Sequence, residues 1–230
     1  MGNNTDNMNA RAVIFACSSL RPFIDAAQAE EGTSWPVIEI DRSYHSEPSD
    51  MKAKTAELLA RLPEGTDTAL IAMGFCGGVW DHVSFPFRIV IPRFDDCVSI
   101  LLTDGDGYLP NRKETGHLYL YEEKPEDFSA LALARDGAFS ESEYAGLSRE
   151  ALFHMWFDNY RYMDIIDTGL NDCYTEEYAA AAQEQADRIS AELGYVSGGY
   201  HVLKKLVSGR WDDQFLIAEP RHLIRHADFF

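Results

Sequence analysis

The chain has 230 residues, 46% of them apolar and 25% charged, with a formal net charge of −18, which is the composition of one soluble globular domain with a real core. That acidity repels phosphate backbones and anionic lipid, and no basic patch interrupts it, so nucleic acid and membrane surfaces are not expected as partners. No stretch approaches the roughly 18 apolar residues of a membrane span, and the polar start Met1 to Asn9 has no apolar signal core, so a cytoplasmic location is expected.

Residues 1–10 read as a disordered N-terminal tail, and 11–230 as a single α/β domain. "RAVIFA" (Arg11 to Ala16) is an apolar, β-rich run that ends at Cys17-Ser18-Ser19, a strand followed by residues suited to a helix N-cap. "LRPFIDAAQAE" then predicts a helix and Trp35 to Asp41 a second strand. A loop carrying His45 leads to Ser49–Leu62, where Met51, Leu58, Leu59 and Leu62 are spaced for a helix. "DTALIAMG" is a third strand and runs directly into "GFCGGVWD". Arg88 to Pro92 is a fourth, and Asp95-Asp96 open a helix from Cys97 to Leu102. Asp104-Gly105-Asp106-Gly107 breaks the pattern.

The second half is less regular. "HLYLYEE" predicts a strand, Lys124 to Tyr144 an excursion of helices and loops, and Ser148 to Met163 an aromatic helix followed by "DIIDTG". Tyr174 to Leu193 reads as a long helix closed at Gly194, then "YHVLKKLVSG" as a short helix and "FLIAEP" as a last strand. Alternating elements with continuously apolar strands predict a mainly parallel, Rossmann-like sheet with helices on both faces. Chemistry then belongs at the carboxyl ends of the strands.

Three thiols fall at such ends: Cys17 after the first strand, Cys76 after the third, and Cys97 after the fourth. If those strands are neighbours, the sulfurs open onto one edge, and clustered thiolates select zinc or iron–sulfur over hard cations. His45 is placed to reach the same edge as a ligand or an acid/base. The macrodipole favours a thiolate at Cys97 while Asp95 and Asp96 oppose it, with Arg93 as the cation that would settle the contest. Gly74, Gly77 and Gly78 would let a ligand approach the chain. The competing reading is ordinary: cytosolic cysteines are commonly small buried hydrophobes, and no CxxC pair tightens the inference.

Other motifs fail. "DGDG" lacks the acidic twelfth residue of a calcium loop, where Thr115 stands, and neither GxGxxG, GxxxxGK[ST] nor GxSxG is present. Trp156, Phe157, Tyr160 and Tyr162 are spaced as helical core or interface rather than as a cation cage.

"ACSS", "YHSEP", "GFCGG", "IPRFDDCVSILL", "NYRYMDIIDTG" and "VLKKLVSGRWDDQFLIAEP" occur in the order seen in the domain-of-unknown-function family 1638, which the chain resembles along nearly its whole length. The resemblance maps Cys17, Cys76 and Cys97 onto three family thiols and His45 onto a family histidine. It implies relatives in methanogens and anaerobic bacteria and a link to corrinoid-dependent methyl metabolism. Two departures stand out: Ser18 replaces a usual glycine, and "YLYEEKP" replaces an ending with Gly-Trp, which bears on the substrate pocket. Cys173 matches no family thiol.

The resulting expectation is an enzyme, a lyase or transferase acting on a small molecule. Cys17, Cys76 and Cys97 would hold an iron–sulfur cluster, or else zinc. His45 and Asp167 would be catalytic, and Gly74, Gly77, Gly78, Arg93 and Thr168 would line the cofactor site. The alternative is a non-catalytic accessory protein that binds a corrinoid or a metal for a methyltransferase partner.

Overall fold

The computed structural model describes residues 11–46, 48–128 and 147–230. The expected N-terminal tail and most of the excursion between Lys124 and Tyr144 therefore lie outside the described residues. The elements in chain order are β1 (Ala12–Cys17), α1 (Arg21–Glu31), β2 (Val37–Ile40), α2 (Pro48–Leu59), β3 (Thr68–Ala72), β4 (Arg88–Pro92) and α3 (Cys97–Leu101). They continue with β5 (His117–Leu120), α4 (Arg149–Phe157), β6 (Tyr162–Asp167), α5 (Glu176–Arg188), β7 (Glu192–Ser197), α6 (His201–Ser208) and β8 (Phe215–Ala218).

The protein is mixed α/β, and its strands form two mainly parallel sheets. The first has the order β2-β1-β3-β4-β8, parallel from β2 to β4 and closed by an antiparallel β8. Every residue of β1 and β3 is buried, which explains why both read as unbroken apolar runs. Pro22 opens α1, and Gly32 closes it at φ 65°, the left-handed conformation for which glycine is the usual helix stop. α6 packs beside α1 and over β3 and β4. Its Lys205 is buried and pairs with Asp106 and Asp212, so the "DGDG" loop neutralises a core cation.

β5, β6 and β7 form a second, fully parallel sheet where one continuous sheet was the expectation. Two boundaries differ for local reasons. The aromatic helix stops at Phe157, and Tyr162 belongs to β6, where it stacks on His117 with ring centroids 4.5 Å apart. Phe157 is buried in the core of the second sheet, and Trp156 and Tyr160 pack against it. The long helix ends at Arg188, and Gly194 is no helix cap but the third residue of β7. A Cβ on Gly194 would stand 2.5 Å from the Asp164 carboxylate of β6, so the glycine makes room for a half-buried neighbour across the sheet.

The second sheet joins the first body through Tyr119, Tyr121 and Ile166, which belong to the larger core. Gly198 marks the joint: a Cβ there would meet Ile166 at 2.4 Å and the Leu101 carbonyl at 2.5 Å.

Candidate functional site

The carboxyl end of β3 is built to fold back. After Met73 the main chain keeps pairing with the segment beyond β4: Phe75 N donates to Phe94 O and Cys76 N to Asp95 O, each at 2.7 Å. Gly74 permits this, since a Cβ there would lie 2.6 Å from Asp96 Cα. The space expected to admit a ligand at Gly74 is therefore taken by the chain itself. The Gly74 carbonyl accepts from the indole of Trp80 at 2.9 Å, which pins the far end of the loop into the core. Cys76, Gly77 and Gly78 all have positive φ (48°, 70° and 97°). For a cysteine this conformation costs about 1–2 kcal/mol; Gly77 and Gly78 adopt it without a Cβ penalty.

Cys17 ends β1 and Cys97 begins α3, and with Cys76 all three thiols are buried. Cys97 lies near enough to both Cys17 and Cys76 for each to shift its titration. Cys17 Sγ also lies 3.1 Å from Ser19 Oγ and 3.6 Å from His45 Nε2. The three thiols thus follow the carboxyl ends of the adjacent strands β1, β3 and β4, with His45 beside Cys17.

The charge state differs from the expectation of a Cys97 thiolate. Contact with Cys17 draws the Cys97 pKa down, but contact with Cys76, full burial and the charge of Asp96 carry it well above the ordinary thiol value. Cys17 is raised by its contact with Cys97 and by burial, against the pull of His45. α3 is only five residues long, and the Asp96 carboxylate caps it by accepting from Ser99 N at 2.8 Å, so the dipole is already answered by a neighbouring anion. Arg93 does not redress this. Its guanidinium donates to the carbonyls of Asp228 and Asp213 and lies over the Tyr108 ring at 4.7 Å.

Ser18 explains how a histidine 28 positions away reaches Cys17. Its Oγ accepts from Arg42 N at 3.0 Å and so fastens the turn Arg42–Ser46, which carries His45, to the end of β1. A glycine at this position could not make this bond.

Residues that the motifs did not mark complete the surroundings. Tyr121 is buried, and burial, then Glu122, then Cys97 and Cys17, hold its phenol well above the ordinary value, against a small opposing effect of Ser19. A cavity of about 280 Å³ adjoins it, lined by Ser18, Ser19, Arg42, Tyr121 and Glu122 among others. A larger cleft of about 790 Å³ shares Pro22, Glu123 and Asn171 with that cavity. The "YLYEEKP" departure is the signal that points here, since its residues from Tyr121 onward line both spaces.

Asp167 and Thr168 lie at the end of β6, in the second sheet. Asp167 accepts from Gly169 N at 3.1 Å and from the Tyr174 hydroxyl at 2.9 Å, and Thr168 Oγ1 accepts from Leu170 N at 3.4 Å. Both shape the turn that sets Leu170 and Asn171 into the larger cleft, and neither has a contact with the thiols among those observed. Cys173 is buried in the core of the second sheet, apart from the other three.

Among the described residues, no group of three or more His, Cys, Asp or Glu side chains is placed to hold a metal ion. The donor set itself suits a soft metal, because thiols and imidazole are the ligands that zinc and iron–sulfur clusters take. Among the same residues no helix is long and apolar enough to cross a membrane.

These features define a mixed α/β protein with a buried thiol centre at the carboxyl edge of a mainly parallel sheet. The chain belongs to the family described as "Protein of unknown function (DUF1638)", whose model matches residues 40–207. That span holds His45, Cys76 and Cys97, while Cys17 precedes it. No curated protein matches the chain, and no solved structure matches it.

Proposed function

We propose that the protein is an enzyme of small-molecule metabolism in which Cys17, Cys76 and Cys97 hold an iron–sulfur cluster, with zinc as the second choice. The observation that supports this reading is the position of Cys17, Cys76 and Cys97, three buried soft donors that follow the carboxyl ends of the neighbouring parallel strands β1, β3 and β4. A cluster suits a row of thiols better than a single ion does, because each cysteine ligates a different iron. Zinc–sulfur bonds of about 2.3 Å require all three sulfurs around one point.

Bound there, the metal centre would supply Lewis acidity at an open coordination position. The chain's own groups have separate tasks. His45 exchanges a proton at the edge of the site, its ring nitrogen lying 3.6 Å from the Cys17 sulfur. Tyr121 and Ser19 form the wall between the thiols and the smaller cavity, through which substrate enters. The carboxylates Glu123, Glu126 and Asp127 along the two spaces disfavour anionic substrates, while buried Glu122 is paired with Arg42. Asp167 acts indirectly, by holding the Gly169–Asn171 turn.

The test is anaerobic purification with iron, zinc and acid-labile sulfide analysis of the wild type and Cys76→Ala. Iron with sulfide in the wild type and its loss in the variant are expected. A metal-free wild type would sink the reading, and a red corrinoid-bearing sample would replace it with the accessory-protein alternative.

A further inference from the structure

We infer that Cys76 and Cys97 are a reversible disulfide pair whose oxidation disarms the thiol centre. As regulation of that centre the inference rests on the function proposed above; as a covalent bond between two thiols it does not.

Disulfides need Cα atoms about 4.4–6.8 Å apart, and adjacent strands lie about 4.8 Å apart. β3 and β4 are neighbours, whereas β1 and β4 are separated by β3. Cys17 and Cys97 therefore extend from strands that are not neighbours, and no main-chain hydrogen bond joins them among those observed. Cys76 and Cys97 extend from adjacent strands, and the main chain itself draws them together. Cys76 N is bonded to Asp95 O at 2.7 Å, two residues before Cys97, and Gly74 lets the two segments touch. Cys76 also holds a left-handed backbone that a cysteine ordinarily avoids, φ 48°, the kind of strain found where a residue's placement matters.

Exposure sets the order of events. Cys76 is 8% exposed, Cys97 4% and Cys17 0%, so a low-molecular-weight disulfide such as oxidised glutathione meets Cys76 first. The Cys76 sulfur attacks it, giving a protein–glutathione mixed disulfide and expelling one glutathione thiolate, which takes up the proton that Cys76 gives up. The Cys97 sulfur then attacks the Cys76 sulfur and expels the second glutathione, protonated at the expense of Cys97. Two protein thiols are oxidised by two electrons, one disulfide is reduced to two thiols, and a dithiol reductant reverses the sequence. The oxidised protein has lost two of its three thiol donors.

The experiment uses full-length protein, stripped of metal with a chelator, fully reduced, and then treated with oxidised glutathione. Thiols counted in denaturant are expected to fall from four to two, with peptide mapping joining Cys76 to Cys97. Cys97→Ala is expected to stop at the mixed disulfide on Cys76, and Cys173→Ala to behave as wild type. Retention of all four thiols, a Cys17–Cys97 link or any link through Cys173 would overturn the pairing. In a second arm, ferrous iron with sulfide, or zinc alone, is offered to both forms. Uptake by the reduced form, lost on oxidation and restored by dithiothreitol, supports the control; equal uptake by both forms overturns it. No uptake by the reduced form overturns the metal reading instead, while the mapped disulfide stands.

Discussion

His45 Nε2 and Cys17 Sγ lie 3.6 Å apart, and their meeting depends on the hydrogen bond from Arg42 N to Ser18 Oγ. Ser18→Gly removes that bond and adds backbone freedom to the unfolded chain. A stability loss of about 1–2 kcal/mol is expected by denaturant unfolding. In NMR spectra the His45 ring of the variant should no longer respond to a further Cys17→Ala change.

The two crowded glycines give a pair of packing tests. Gly74→Ala sets a methyl against the Asp96 backbone and Gly198→Ala sets one against the Leu101 carbonyl, and neither neighbour is a flexible side-chain end. Each should cost about 1–3 kcal/mol or more. Gly74→Ala should also reduce metal content, because it parts Cys76 from Cys97; Gly198→Ala should leave metal content unchanged in the fraction that folds. Equal effects on metal content would contradict the assignment of Gly74 to the site.

Tyr200 governs part of the alkaline limit. Its hydroxyl donates to Glu30, and this bond, together with burial, pushes the phenol up to about 12 from an ordinary value of 10.0. Between those values the unfolded chain has released the proton and the folded one has not, so folding stability falls as pH rises through the window. Thermal unfolding measured from pH 9 upward, on the order of one-unit steps, should show this decline, and Tyr200→Phe should flatten part of it. An unchanged slope in the variant would place the effect on other groups.

Burial and their neighbours raise the thiols of Cys17 and Cys97, which makes these two poor nucleophiles toward reagents in solution at neutral pH, since the thiolate is the reactive form. Iodoacetamide should label Cys17 and Cys97 slowly in the native state and rapidly in denaturant. Fast native labelling of Cys97, read by peptide mass spectrometry, would show that Asp96 and burial do not control it as described.

Cys173→Ala separates the fourth thiol from the other three. It should cost about 1 kcal/mol through lost packing in the second core and leave iron, zinc and sulfide content at the wild-type level. Loss of metal in this variant would mean that the donor set has been misassigned.

The first sheet was legible because its central strands β1 and β3 are buried on both faces: nothing but strand fits Ala12–Cys17 or Thr68–Ala72 at that length and apolarity. The convergence of Cys17, Cys76 and Cys97 followed from the strand-end rule for the same reason. The second sheet was obscured by signals that serve other ends. Gly194 resembles a helix stop but yields space to Asp164, and Tyr162 continues an aromatic run yet begins a strand. Arg93 was misjudged because nearness in sequence says nothing about a long side chain's direction, and carbonyls of Asp213 and Asp228, more than a hundred residues on, claim it. Tyr121 and Ser19 had no motif of their own; their importance comes from an apposition of two sheets that no local pattern encodes.

The antiparallel strand β8 sets a timetable for synthesis. It pairs Phe215 with Pro92 and Ala218 with Ile89, so the outer edge of β4 has no native partner until about 120 further residues have left the ribosome. At typical elongation rates that wait is on the order of 10 s. Throughout it, the nascent chain presents an apolar strand edge able to pair with other chains. Conditions that slow translation between residues 92 and 215 should therefore lower soluble yield without altering the stability of the molecules that finish.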